Sequence, residues 1–330
     1  MSGAPRPEGG VGAALGARLR ERDLTAAPAA LNILESVAPA DREQAAKLLE
    51  QVSPAALGGE APGHVVGVTG PPGAGKSTLL SALLHAWRTS GRSVAMLAVD
   101  PSSRRSGGSL LGDRARIDFD PSDRGVLIRS TAAGERLGGL AWATRAAAHA
   151  LAAAFDVVVI ETVGVGQGET EVADVADTVA VVVQPGSGDV LQFLKSGIME
   201  IPDVLVVTKA DLGQIAMSTR RDLSAALRSL GSPSGDGASA TRVLAVSSLP
   251  PASGVDELVA ALEEHRAALD VGERRLQARR AGALGDFAHE HGERGLRALG
   301  GRGAAETLLS AQDPGLEVPA LVAQLEQELG

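Results

Sequence analysis

Apolar residues along the chain follow two rhythms. Short, continuous apolar runs rich in β-branched residues occur at residues 65–68, 94–99, 126–128, 157–160, 179–183, 204–207 and 243–246. Such runs predict strands buried on both faces of a sheet. Between most of them, apolar residues recur at helical spacing over 76–90, 137–154, 218–230 and 255–268. Strand and helix in alternation predict a doubly wound, mostly parallel α/β domain over residues 63–268, with ligands at the carboxyl ends of the strands.

The flanks read differently. Over 11–57 the pairs Leu15 and Leu19, Leu31 and Leu34, and Leu48 and Leu49 keep helical spacing, broken near Pro28, Pro39 and Pro54. Residues 1–62 are thus expected as an N-terminal helical extension, with 58–63 a linker by composition. After Val271 the leucines at 296, 299, 308, 309, 321 and 325 predict a C-terminal helical arm over 269–330. The Gly/Ser-rich stretch 229–240 reads as a surface loop.

Composition narrows the function. The 330 residues are 44% hydrophobic and 22% charged, globular values, and aromatics make up only 2%. A net charge of −9 and few aromatic platforms argue against nucleic acid as a partner. With no cysteine there is neither a thiolate metal site nor a thiol nucleophile. The N-terminus lacks the apolar core of a signal peptide, and no run reaches the roughly 18 apolar residues of a membrane span. A soluble, cytoplasmic protein without membrane contact is expected.

The chemistry begins after the first predicted strand. Gly70, Pro71, Pro72, Gly73, Ala74, Gly75, Lys76, Ser77 and Thr78 form the pattern G-x-x-x-x-G-K-[S/T] and lead into a helix. The glycines let backbone N–H groups turn toward phosphate oxygens, Lys76 reaches the β- and γ-phosphates, and the Ser77 hydroxyl is the expected ligand to Mg²⁺. Farther on, Thr208, Lys209 and Asp211 close the 204–207 run as [N/T]-K-x-D. A carboxylate at Asp211 can accept from guanine N1–H and its exocyclic amine, a donor pair that adenine lacks, while the Lys209 stem packs on the purine. Ser247, Ser248 and Leu249 stand where a second guanine-contacting loop is expected.

Three carboxylates, Asp100, Asp113 and Glu161, lie at or after strand ends and are candidates for Mg²⁺; an ion that keeps several waters needs only one or two of them directly. Glu161 to Gly164 takes the place of a D-x-x-G segment whose glycine amide contacts the γ-phosphate. Val165 follows Gly164, and Gln167, a candidate for orienting the attacking water, comes later than usual. Slow intrinsic hydrolysis that a partner accelerates is therefore expected. Arg104, Arg105, Arg114 and Arg136 are candidate charge stabilisers, although such residues are more often solvated.

With Asp100 to Ser103, Ser106 to Asp113, Glu161 to Glu169 and Gln184 to Asp189 in view, the chain closely resembles the MeaB/ArgK family over residues 64–259. The resemblance implies a GTPase that binds GTP or GDP with Mg²⁺ and serves as chaperone to an adenosylcobalamin-dependent acyl-CoA mutase. It implies gating of cofactor loading and protection or reactivation of the mutase, with an adenosyltransferase as a further candidate partner. By similarity, Lys76, Ser77, Asp100, Asp113 and Glu161 serve phosphate and magnesium. Residues 186–195 match a mobile switch segment, and the C-terminal helices would supply a homodimer contact. Thr208 departs from the more usual asparagine.

Two other readings share the fold. A nickel metallochaperone would need Cys and His clusters, and here six histidines are scattered apart from His289 and His291, which read as a solvated helix face. An amino-acid-transport-associated ATPase or kinase is the second; Asp211 argues against it.

Overall fold

The computed structural model describes residues 10–100, 117–132, 142–162, 172–186, 202–229 and 241–329. Asp113, Gly164 and Gln167, the switch segment from residue 187 on and the four candidate arginines fall outside them. By their mutual contacts the residues form two compact units: Met1–Gly63, Arg145–Ala154 and Asp270–Gly330 make one, and His64–Thr144 with Phe155–Leu269 make the other.

In the first unit, α1 (Gly10–Arg20), α2 (Ala27–Glu35), α3 (Pro39–Gln51) and α4 (Pro54–Leu57) follow one another. Proline sits in the first turn of α2, α3 and α4, where its missing N–H costs nothing. A methyl group on Gly12 or Gly16 of α1 would overlap backbone carbonyls of Gln44 and Leu48 in α3, so the two helices touch through their backbones.

In the second unit the elements run β1 (His64–Thr69), α5 (Lys76–Thr89), β2 (Val94–Asp100) and β3 (Val126–Ala132). Next comes α6 (Trp142–Ala152), whose residues from Arg145 belong to the first unit. β4 (Val157–Glu161), β5 (Thr178–Val183), β6 (Val204–Val207), α7 (Gln214–Ser229), β7 (Arg242–Ala245) and α8 (Val255–Ala268) complete it. The seven strands form one sheet in the order β3-β2-β4-β1-β5-β6-β7, and every described pair is parallel. This is the doubly wound architecture that the apolar runs predict.

Burial explains the register. Every residue of β1 and β5 is buried, which fits their near-continuous valine. Leu79, Leu80, Leu83, Leu84 and Trp87 form the apolar stripe of α5 and share a core with Val66, Val68, Val157 and Val159, and with Leu258 and Leu262 of α8. Because the strands are parallel, the ends of β4, β1, β5 and β6 lie side by side on one edge, and the segment that follows each strand emerges there.

The C-terminal helices α9 (Val271–Ala298), α10 (Arg302–Ser310) and α11 (Val318–Gln327) belong to the first unit. They enclose a second core built on Leu284, Phe287, Leu296, Leu309, Leu321 and Leu325. The 58–63 stretch is tied down by buried arginines of α9. Arg275 donates to the carbonyls of Ala61 and Gly63 at 2.8 and 2.7 Å. Arg279 forms a two-pronged pair with Glu60 at 3.0 and 2.8 Å.

Candidate nucleotide site

The phosphate loop leaves β1 at Gly70 and enters α5 at Lys76. Its shape depends on positive φ at Gly70 (143°), Gly73 (79°) and Gly75 (88°), which side chains rarely adopt. Gly70 also needs its missing side chain for space: a Cβ there would overlap the carbonyl oxygen of Val182 in β5. Lys76 is buried, and its ammonium donates to the carbonyls of Gly70 at 2.6 Å and Pro71 at 3.2 Å, so the charge is held over the loop. Ser77 is half-buried in the first turn of α5, while Pro72, Gly73 and Thr78 are exposed.

The segment after β6 is bound directly to this loop. Thr208 is buried, and its hydroxyl lies 2.6 Å from the Ala74 carbonyl and 3.1 Å from that of Val183. A hydroxyl has one proton to give, and the shorter contact marks the Ala74 carbonyl as its acceptor. Lys209 takes a left-handed backbone conformation (φ 54°), unusual for a residue with a side chain. Its ammonium donates to Gln184 Oε1 at 2.7 Å and lies 3.4 Å from the Gly73 carbonyl. Asp211 is exposed, and one carboxylate oxygen accepts from Ser247 Oγ at 3.1 Å.

Ser247 is held by paired backbone hydrogen bonds with Ser253, both 2.9 Å, which close the loop after β7. In that loop Ser248 is half-buried and Leu249 exposed. The phosphate loop and the segments after β6 and β7 therefore meet at one edge of the sheet.

Of the acidic candidates, Asp100 is the last residue of β2, in register with Ala132 of β3. Glu161 ends β4 opposite Val68 of β1. Val157 and Val159 lie in the core shared with α5, so the two-residue period of the strand puts Glu161 on the face that carries α5 and Ser77. Ser77 and Glu161 offer oxygen donors at this edge, a hydroxyl and a carboxylate, a type that suits Mg²⁺. Thr69 and Thr162, one on β1 and one just after β4, are buried with hydroxyls that find no hydrogen-bond partner among the described residues.

Two candidates of the sequence, Gln184 of the family motif and Thr208 of the guanine loop, make contacts that residue order does not show. Gln184, the first residue after β5, anchors Lys209; its place at a strand end was the available signal. Thr208 appears in the sequence as a departure from asparagine, and its bond to Ala74 becomes visible only in three dimensions.

Fold and loop together define the class: a P-loop GTPase fold with a phosphate loop on a parallel sheet. The family model described as "Methylmalonyl Co-A mutase-associated GTPase MeaB" matches residues 12–291, and the chain belongs to that family. A probable GTPase of Mycobacterium bovis is 44% identical over 218 residues, 65% of this chain and 63% of that one. GTPase ArgK of Escherichia coli is 39% identical over 197 residues, 59% of this chain and 58% of that one. The matches span about three fifths of the length of these curated relatives. Among solved structures, the crystal structure of an LAO/AO transport system kinase superposes with a TM-score of 0.66 at 27% identity, covering 98% of this chain and 99% of that one.

Proposed function

We propose that the chain binds GTP and GDP with Mg²⁺, hydrolyses GTP slowly on its own, and acts as a nucleotide-dependent chaperone of an adenosylcobalamin-dependent acyl-CoA mutase. Methylmalonyl-CoA mutase or a relative is the client, and the nucleotide state gates cofactor loading and protects or reactivates the enzyme. The family description supports the mutase association. The C-terminal arm is proposed as a homodimer contact.

One observation carries the nucleotide assignment: Thr208 bonds the segment bearing Asp211 to the phosphate loop at Ala74. A base read by Asp211 and phosphates held by the loop are thereby registered to each other. In this reading Lys76 holds the terminal phosphates and the glycine-loop amides donate to them. Ser77 with Glu161 and Asp100 provides oxygens for Mg²⁺, and Ser247 keeps the Asp211 carboxylate turned toward the base. Magnesium supplies positive charge against the phosphate oxygens. Asp113 retains the role that the resemblance implies, and Gly164 and Gln167 those that the D-x-x-G-like segment suggests.

Titration calorimetry with GDP, GTP and ATP, each with Mg²⁺, tests the assignment. Guanine nucleotides should bind and ATP should not, and Asp211→Asn should erase most of that preference without unfolding the chain. Equal heats for ATP and GTP would instead favour the ATPase reading. Release of phosphate from GTP should rise when the mutase is added.

A further inference from the structure

Outside the sheet, two helices far apart in sequence bring together three groups that the nucleotide chemistry does not use. Glu290 and His291 end the first segment of α9, immediately before Gly292, whose φ of 63° and ψ of −169° break the helix. Glu326 comes from the last turn of α11. His291 Nε2 lies 3.0 Å from Glu326 Oε1, and one ligand atom from each of the three residues lies within 4.8 Å of the others.

The arrangement is more than an ion pair. Binding His291 needs one carboxylate, and Glu326 already provides it. Glu290 brings a second negative charge to the same point, and no described residue forms a hydrogen bond or ion pair with it. Two carboxylates beside one imidazole offer one nitrogen and two oxygen donors converging on a single point, a set that a divalent cation can take. The imidazole is also oriented: its ring centroid sits 4.7 Å from that of Phe287, and Gly295 lacks the Cβ that would overlap the His291 Cβ.

We propose that Glu290, His291 and Glu326 form a binding site for a first-row divalent transition-metal ion, with Zn²⁺ as its probe. One imidazole nitrogen and two carboxylate oxygens, with no sulfur, suit a borderline ion better than Ca²⁺ or Cu(I). Glu290 and Glu326 are exposed and His291 half-buried, so water completes the coordination and exchange is fast. The ion bridges the first segment of α9 to the last turn of α11, and its binding energy adds to the stability of that contact.

The test titrates ZnCl₂ into the tag-free, EDTA-stripped full chain by calorimetry and follows thermal melting with and without the metal. The key variant is Glu290→Gln, because this exposed side chain makes no bond whose loss would disturb folding. Wild type should bind one zinc more than Glu290→Gln, or bind it roughly tenfold or more tightly. The rise in melting temperature with zinc should shrink in the variant, while the two metal-free melts coincide. His291→Ala should lose the same binding event. Zinc affinity and zinc-dependent melting that are identical in wild type and Glu290→Gln would overturn the site and leave only the His291 to Glu326 ion pair.

Discussion

Replacing Thr208 by valine keeps the shape of the side chain and deletes one hydroxyl. That hydroxyl is buried and donates to the Ala74 carbonyl at 2.6 Å. The carbonyl of Val183 keeps the backbone N–H of residue 208 at 2.9 Å, so the loss falls on Ala74, itself fully buried. Leaving a buried carbonyl without its donor costs about 1–3 kcal/mol. In a unit of this size that lowers the melting temperature by about 2–12 °C. If the loop must be re-formed against β6 each time nucleotide binds, the same energy weakens GDP affinity by roughly 5- to 150-fold. Calorimetric melting of the variant, paired with GDP titration, reads both quantities. An unchanged melt together with unchanged GDP affinity would refute the idea that Thr208 registers the two segments.

Other substitutions probe the rest of the molecule. Gly70→Ala places a Cβ against the Val182 carbonyl at a φ of 143° and should cost more than ~3 kcal/mol in urea denaturation; a midpoint equal to wild type would contradict the close approach of loop and β5. Gly12→Ala should force α1 off α3 and speed hydrogen exchange in those helices while leaving the sheet amides protected; uniform exchange changes would count against a local clash. Hydrogen bonds from the Arg88 guanidinium and then the Gly125 amide hold the Asp123 carboxyl below its ordinary value. Stability from that pair is therefore fully present above about pH 4 and is lost as pH falls through the lowered folded value. Arg88→Met should be less stable than wild type at about pH 6, and the gap should narrow at about pH 3; a constant gap would mean that the pair contributes nothing.

Much of the sheet was legible because buried parallel strands advertise themselves as continuous valine and isoleucine. β3 runs to Ala132 although its apolar signal ends at Ile128. It is the edge strand, and Arg129, Ser130 and Thr131 continue the pairing with β2 without needing an apolar pattern. α7 begins at Gln214, earlier than the predicted 218, because its first turn carries the exposed Ile215 and gives no amphipathic signal.

At the site, the loop and the segment after β6 could be read from residue order, since glycine spacing and K-x-D encode backbone shape and hydrogen-bond chemistry locally. The Thr208 to Ala74 bond and the anchoring of 58–63 by Arg275 and Arg279 could not. Each joins residues more than 130 positions apart, and no local pattern marks which buried arginine or hydroxyl will find which carbonyl. The meeting of His291 with Glu326 was hidden in the same way.

The first unit is assembled from both termini and a piece of the middle of the chain. During synthesis its first helices emerge well before the arginines of α9 that hold residues 60–63, which lie far later in sequence. The sheet has all its strands earlier. Biogenesis thus has a built-in order: the strands of the sheet are all present while α1 to α4, although able to pack on one another, still lack the α9 residues that complete their unit.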